Sequence, residues 1–155
     1  MEFVNLTRHT GIGSNCYWLS VGGKNIILDA GSDPKVDGIG STPDLRPLPP
    51  GTVDAIIITH AHQDHIGSLP VVTRQEQRCP VFMTPATAAI ATIMLHNSVN
   101  VMMRQREELG LMEYPLYTHR SVDLCAQSWV HCGLRQRYNL TGERSENDDE
   151  VTFEF

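Results

Sequence analysis

Few features of this 155-residue sequence indicate an exported, membrane or fibrous protein. No apolar run approaches the roughly 18–20 residues of a membrane span, and the first residues lack the basic and apolar regions of a signal peptide. There are no internal repeats and no low-complexity stretches. Hydrophobic residues make up 41% of the chain and charged residues 19%, which is typical of a globular protein long enough for one domain.

The four cysteines form no Cys-x-x-Cys pair. Without an export signal, we interpret them as reduced core thiols of a cytoplasmic protein. The interval of seven residues between Cys125 and Cys132 predicts that both lie on one buried helix face.

Two common catalytic patterns are missing as well. No Gly-x-Ser-x-Gly segment is present, and Gly11-Ile12-Gly13 lacks the third glycine of a dinucleotide-binding turn. The net charge of −6 argues against a sequence-independent nucleic-acid coat. It leaves room for a nucleic-acid substrate held by a metal and a few arginines.

The hydrophobic pattern predicts hairpins first, then strands alternating with helices. This order predicts a mixed sheet flanked by helices, an α/β or α+β fold. A long irregular loop, rich in proline and glycine, spans residues 30–52, and loops of this length often serve a site. The predicted strands are 2–7, 15–22, 24–29, 54–59, 81–84 and 151–155. The predicted helices run from the segment after His65 to about 77, from 85 to 108 with Gly110 as the stop, and from 121 to 131 with Gly133 as the stop.

The segment from His60 to His65 is the strongest signal in the chain. It follows a buried strand, where α/β proteins place their sites. In an extended segment His60 and His62 project to the same side, so both imidazoles can meet one cation at about 2.0–2.1 Å. Asp64 and His65 fall where the chain turns into a helix and point towards a second cation. Mixed histidine and carboxylate ligands favour Zn²⁺, with Mn²⁺ or Fe²⁺ as alternatives.

Residues 59–70, Thr-His-Ala-His-Gln-Asp-His-Ile-Gly-Ser-Leu-Pro, resemble the signature of the metallo-β-lactamase superfamily. Their continuation at 66–70 resembles the β-CASP RNA-processing nucleases, such as RNase J and the cleavage and polyadenylation nuclease subunit. Residues 27–31 resemble the first motif of the family, a strand ending in an aspartate, and residues 83–87 its later helix start. The resemblance covers nearly the whole chain and implies the N-terminal half of an αβ/βα sandwich.

The resemblance also implies roles for individual residues. His60 and His62 would hold one metal, and Asp64 and His65 would contribute to a second, with two Zn²⁺ per complete site or Mn²⁺ instead. Asp64 would also take the proton of the attacking water, which makes Asp64 and His65 the expected catalytic residues. Asp29 would fix the ligand loop by hydrogen bonds.

One departure from the family concerns the remaining ligands. The family completes its site with a later Ala-Gly-His-like segment, a bridging aspartate and a further histidine, and these motifs and any β-CASP insert are absent from this chain. We therefore expect residues 1–155 to be the N-terminal portion of one metallo-β-lactamase domain. We expect it to associate with the missing C-terminal part of the enzyme or with a second copy of the chain. RNA is a further expected partner, and we expect no association with a membrane.

Three functions remain open at this point. The first is a metal-dependent hydrolase of RNA phosphodiesters that acts through a metal-bound hydroxide. The second is a hydrolase of the same fold that acts on a small molecule, like glyoxalase II or a lactonase. The third is a truncated, non-catalytic subunit that folds with a partner; on this view the isolated chain binds metal weakly and is nearly inactive.

Other candidate residues fit ordinary structural roles better. His9, His96, His119 and His131 have no ligand spacing, so we interpret them as structural or solvated histidines. Arg104 and Arg106 could meet phosphates, but a solvated helix face explains them more simply.

Overall fold

The computed structural model describes residues 1–8 and 13–155. The larger of its two sheets contains, in chain order, β1 (Glu2–Asn5), β2 (Tyr17–Val21), β3 (Lys24–Leu28), β4 (Ala55–Ile57), β5 (Val81–Met83) and β6 (Trp129–His131). The helices are α1 (Gln63–Ile66), α2 (Leu69–Gln75), α3 (Pro85–Leu109) and α4 (His119–Ala126), with a 3₁₀ turn at Gly38–Ser41. A second sheet pairs β7 (Arg137–Asn139) with β8 (Thr152–Glu154).

The larger sheet is mixed, as the sequence predicts. Strands β1, β2 and β3 pair antiparallel through hairpins, whereas β3, β4, β5 and β6 pair parallel. Parallel neighbours need crossover connections, and α1 to α4 lie in the connections that follow β4 and β5. The carboxyl ends of β3 and β4 therefore meet side by side at one edge of the sheet.

Both faces of this sheet are covered. Ile56 and Ile58 on and after β4 pack into a core with the helices, while Ala55 and Ile57 face a smaller core beneath β7 and β8. All four side chains are buried. A continuous apolar run is the pattern expected of a strand buried on both sides, because its side chains alternate between two cores. Val151, Phe153 and Phe155 join the smaller core together, as their alternation predicts.

The helix predicted at 121–131 is wrong in its second half. Helix α4 ends at Ala126, and Trp129–His131 form β6, which pairs in parallel with Val81–Met83. A place beside a buried strand favours aromatic and β-branched residues over further helix. As a consequence Cys125 and Cys132 do not share a helix face: Cys125 lies in the larger core and Cys132 in the smaller one.

Smaller differences concern boundaries. The helix predicted up to residue 77 is two short helices, α1 and α2, separated at Gly67 and Ser68. The strand predicted at 15–22 begins only at Tyr17, because the backbone of Asn15 binds Asp64 and Gly31 instead. Strand β7 was not predicted. The predicted turn at 11–13 and the assignment of His9 lie outside the described residues, apart from Gly13.

Helix α3 begins and ends where the sequence predicts. Thr84 caps it, with its side-chain oxygen accepting a hydrogen bond from the backbone of Thr87, and Gly110 follows its last residue in the left-handed conformation, φ 69°. Among the described helices it is the one whose length and composition would allow it to cross a membrane. A core helix passes the same test, and buried Leu95 and Val99 pack in the larger core here.

The long loop between β3 and β4 is ordered by contacts with distant residues. The backbone N–H of Gly38 donates to Tyr114 Oη at 2.8 Å, and that of Ile39 donates to Glu113 Oε2 at 3.0 Å. Nearer β3, the N–H of Ser32 donates to the carbonyl of Gln63 at 3.2 Å. The first two contacts hold the middle of the loop against the segment after α3, and the third holds its start against the segment that carries the predicted ligands.

Candidate metal centre

The predicted ligands lie at the carboxyl ends of β3 and β4. Asp29 directly follows β3 and has a left-handed backbone, φ 59°, which is uncommon for a residue other than glycine. The segment from Thr59 to His65 follows β4 and leads into α1. Residues in sparsely populated backbone conformations cluster at functional sites. The fold therefore places the aspartate of one strand beside the histidines of the next.

The buried carboxylate of Asp29 orients two histidines, His65 directly and His60 through Thr59. His65 Nδ1 lies 2.7 Å from Asp29 Oδ2 and donates a proton to it. Thr59 donates both its backbone N–H, at 2.8 Å, and its hydroxyl, at 2.9 Å, to the same carboxylate. With its proton given to Asp29, Thr59 Oγ1 accepts from His60 Nδ1 at 3.0 Å. Both imidazoles are thereby held with the proton on Nδ1, which leaves Nε2 as the nitrogen whose lone pair can bind a metal.

His60 and His62 form the first donor pair. His60 Nε2 lies 3.0 Å from His62 Nδ1, and the ring centroids are 4.6 Å apart. Two imidazole nitrogens on one tetrahedral Zn²⁺ lie roughly 3.3–3.4 Å apart when each bond is about 2.0–2.1 Å. A separation of 3.0 Å is close to that value, so this pair fits a shared divalent cation.

Asp64 and His65 form the second donor pair. His65 Nε2 lies 3.6 Å from Asp64 Oδ2, and Asp64 retains 37% of its side-chain exposure. The rings of His60 and His65 are 3.9 Å apart, which makes the two donor pairs direct neighbours. Within residues 1–8 and 13–155, no three His, Cys, Asp or Glu side chains are grouped closely enough to hold one metal ion. The chain thus supplies two pairs of donors, and each pair fits part of a coordination sphere.

Asn15 touches the second pair and was missed by the sequence analysis. Its Nδ2 lies 3.1 Å from His65 Nε2 and 3.4 Å from Asp64 Oδ2, while Tyr17 donates its hydroxyl to Asn15 Oδ1 at 3.1 Å. The backbone N–H of Asn15 also donates to the carbonyl of Asp64 at 2.7 Å. The residue precedes a strand at a distance of about fifty positions from its partners, so no local pattern could reveal it.

Removing the Asn15 amide should disturb the second donor pair alone. We expect Asn15→Ala to weaken binding of the second Zn²⁺ by roughly tenfold, because the Asn15 amide contacts Asp64 Oδ2 and the partners of a ligating carboxylate fix its orientation. Asn15→Gln is the matched control, because it keeps the amide but moves it by one methylene and so separates the effect of polarity from that of position. Calorimetric Zn²⁺ titration gives the affinity, and ¹⁵N NMR of the His65 ring reports its tautomer. Unchanged affinity and an unchanged His65 ring signal would refute this role.

The electrostatic setting of His60 disfavours its charged form. Burial lowers the pKa of His60 below its ordinary value, and the neighbouring His65 and His62 lower it further. The neutral imidazole, which is the form that binds metal, therefore persists to lower pH in the folded chain than in the unfolded one.

This shift has a consequence for stability without metal. Unfolded His60 takes up a proton near pH 6.5, whereas folded His60 resists protonation, so the unfolded state binds more protons below that pH. We expect the free energy of unfolding in EDTA to decrease as the pH falls below about 6.5. Urea denaturation of the wild type and of His60→Gln, which cannot titrate, isolates this contribution. Equal pH slopes for both proteins would contradict the prediction.

The other candidate residues lie apart from this centre. His131 is exposed at the end of β6, and Arg104 and Arg106 are exposed near the end of α3. His96 and His119 contact each other between α3 and α4, a contact that sequence spacing did not indicate. The four cysteines are buried free thiols, as expected, and burial raises the pKa of Cys79 to about 12.

Comparison with known proteins identifies the family. The sequence profile of the Metallo-beta-lactamase superfamily matches residues 9–88, slightly more than half of the chain. This chain belongs to the metallo-β-lactamase superfamily. The match contains Asp29 and the whole ligand segment, and it confirms the resemblance seen in the sequence.

Two curated relatives of this superfamily member are named as RNA-processing proteins. The chain is 39% identical to "Endoribonuclease ysh-1" of Neurospora crassa over 102 residues, which are 65% of this chain and 12% of that protein. It is 37% identical to "Cleavage and polyadenylation specificity factor subunit 3-I" of Arabidopsis thaliana over 91 residues, 58% of this chain and 13% of that protein. The chain therefore spans about an eighth of the length of these relatives.

A solved structure shows the same fold. The metallo-beta-lactamase superfamily protein of Sulfolobus tokodaii superposes with a TM-score of 0.52 at 18% sequence identity. The match covers 92% of this chain and 52% of that protein. The mixed sheet with its flanking helices is thus the metallo-β-lactamase fold.

Proposed function

We propose that this chain carries the first metal-binding segment of a metallo-β-lactamase-fold hydrolase that cleaves RNA phosphodiesters. One observation carries the proposal: His60, His62, Asp64 and His65 lie together, two of them oriented by Asp29, at the carboxyl edge of the sheet. Similarity to proteins named as endoribonucleases supports RNA as the substrate class. The four free cysteines suit a reducing compartment, and we include a cytoplasmic location in the proposal.

The protein groups have distinct tasks in this proposal. His60 and His62 hold one divalent cation, Zn²⁺ by their chemistry with Mn²⁺ as the alternative, and Asp64 and His65 contribute to a second. When bound, such cations act as Lewis acids that stabilise negative charge on a phosphate. Asp64, still partly exposed, accepts a proton from the attacking water. Asp29 and Thr59 keep the lone pairs of His60 and His65 directed outwards.

The donor count implies a further contribution to the site. A tetrahedral or larger coordination sphere needs more ligands than the two pairs that the described residues supply. We propose that the remaining ligands come from another protein segment, either later sequence of the same gene or a second copy of this chain. On this proposal residues 1–155 are the N-terminal portion of one metallo-β-lactamase domain.

Cleavage of defined substrates tests the function. The protein, purified as its gene encodes it, is expected to cleave a labelled single-stranded RNA with Zn²⁺ or Mn²⁺ and to stop in EDTA. Asp64→Asn should retain the cation held by His60 and His62 but lose rate, whereas His131→Ala, an exposed histidine outside the centre, should leave the rate unchanged.

Parallel assays separate the other functions. Hydrolysis of a thioester or a lactone with no RNA cleavage would replace RNA by a small molecule, an outcome that the net charge of −6 makes worth testing. No hydrolysis of any of the three substrates, despite stoichiometric metal, would indicate a non-catalytic subunit.

A further inference from the structure

A second pair of histidines faces each other between α3 and α4, away from the ligand segment. His96 Nδ1 lies 2.8 Å from His119 Nδ1, and the two rings stack with an interplanar angle of 20° and centroids 5.1 Å apart. His96 projects from the middle of α3, and His119 is the first residue of α4. Two ring nitrogens at this distance cannot both carry a proton and cannot both present bare lone pairs unless a cation lies between them.

A carboxylate sits on the outer side of this pair. Asp123 Oδ1 lies 3.4 Å from His96 Nε2, the nitrogen that points away from His119. The negative charge of Asp123 favours a proton on His96 Nε2. His96 Nδ1 is then unprotonated, and its lone pair, directed at His119, can bind a metal. A histidine with a carboxylate on its outer nitrogen is the usual arrangement behind a metal-bound imidazole, because it fixes the tautomer and increases ligand basicity.

Solvent can reach the space where a cation would bind. His119 is exposed, and His96 retains 31% of its side-chain exposure. Water can therefore complete a coordination sphere to which the protein gives two nitrogens, in keeping with the lack of any group of three donors among the described residues. For a tetrahedral Zn²⁺ the two nitrogens would lie roughly 3.3–3.4 Å apart, so the rings would separate by about half an ångström.

We propose that His96 and His119 form a surface site for a divalent cation that prefers imidazole ligands, such as Zn²⁺, Ni²⁺ or Cu²⁺. Hard cations that prefer oxygen, such as Mg²⁺ and Ca²⁺, do not suit two nitrogens. The cation joins the centre of α3 to the start of α4, two helices that otherwise meet through packing of buried side chains such as Leu95 and Val122. Asp123 is a positioning residue of this site. The proposal is independent of the proposed function.

Zinc titration of a suitable background isolates this site. In the variant His60→Ala/His62→Ala/His65→Ala, which lacks the histidines of both donor pairs of the main centre, we expect calorimetry to retain one Zn²⁺ site. Adding His119→Ala should weaken that binding at least roughly tenfold, and adding Asp123→Ala should weaken it roughly tenfold. Adding His131→Ala, another exposed histidine, should change nothing. Saturating Zn²⁺ should raise Tm by roughly 2–4 °C in the background and not after His119→Ala.

The possible results decide between a metal site and a hydrogen bond. Loss of Zn²⁺ binding with His119→Ala but not with His131→Ala, at unchanged metal-free Tm, supports the site. If the background binds no Zn²⁺, or binds it equally well after His119→Ala, the two imidazoles form a hydrogen-bonded pair only and the proposal is wrong. Binding of Mg²⁺ with the same affinity as Zn²⁺ would also overturn it.

Discussion

Replacing both His60 and His62 by alanine is expected to lower the affinity of the main centre for Zn²⁺ by at least roughly a hundredfold. The two nitrogens, 3.0 Å apart, are the pair that fits one cation, and the described residues contain no group of three donors that could take their place. Loss of both nitrogens removes two coordinate bonds, a larger change than the tenfold to hundredfold cost of losing a partner behind a ligand.

The measurement requires that only one centre contributes. Zinc affinity is therefore determined by calorimetry in a His119→Ala background, with and without the double substitution. His131→Ala in the same background is the control for loss of an exposed histidine. Retention of the original affinity after the double substitution would show that His60 and His62 are not ligands and would remove the main support for a hydrolase.

Gly31→Ala is expected to destabilise the chain by more than about 3 kcal/mol. A β-carbon at this position would overlap the backbone carbonyl of Asp64 and would lie 2.9 Å from the backbone nitrogen of Asn15. Both neighbours are backbone atoms fixed by hydrogen bonds: Asn15 donates to Asp64 at 2.7 Å and accepts from Gly31 at 2.9 Å. Overpacking that side-chain movement cannot relieve exceeds the usual 1–3 kcal/mol.

Gly133→Ala is the matched control for this substitution. Its β-carbon would meet Gln136 Oε1 at 3.0 Å, the far end of a flexible side chain, and neither glycine has a left-handed backbone. Urea denaturation should show a small change for Gly133→Ala and a large one for Gly31→Ala. Equal stability of the two variants would mean that the Gly31 and Asp64 segments do not cross as closely as described. Loss of Zn²⁺ binding should accompany the loss of stability, since this crossing positions Asp64.

The parts of the fold with strong local signals were predictable. The run at 54–59 indicates a strand buried on both faces, and β4 has alternating side chains in two cores. The capping threonine and following proline locate the start of α3, and Gly110 its end. Residues 129–131 were misassigned because their pairing partner, β5, lies more than forty residues earlier in the sequence. The apolar residues also keep helical spacing across the short turn after α4, so the pattern gives no sign that the helix has ended.

The sequence by itself determined the family and predicted which residues would be the main ligands. His60, His62, Asp64 and His65 lie within six residues, so their spacing alone carries the chemistry, and the match to the superfamily over residues 9–88 confirms the assignment to that family. The buried strand before them was also predictable from its run of apolar residues, and the long loop after β3 from its proline and glycine content.

Only the tertiary structure decided how these ligands are held. Asp29 and Asn15 contact His65, although they lie 36 and 50 positions before it in the sequence. The hydroxyl of Thr59 donates to Asp29 and accepts from His60, so it links the aspartate to the second histidine. The same holds for His96 and His119, which are 23 positions apart. Hydrogen bonds act over about 3 Å, and the sheet and helices bring distant residues within that range in a way that no local pattern records.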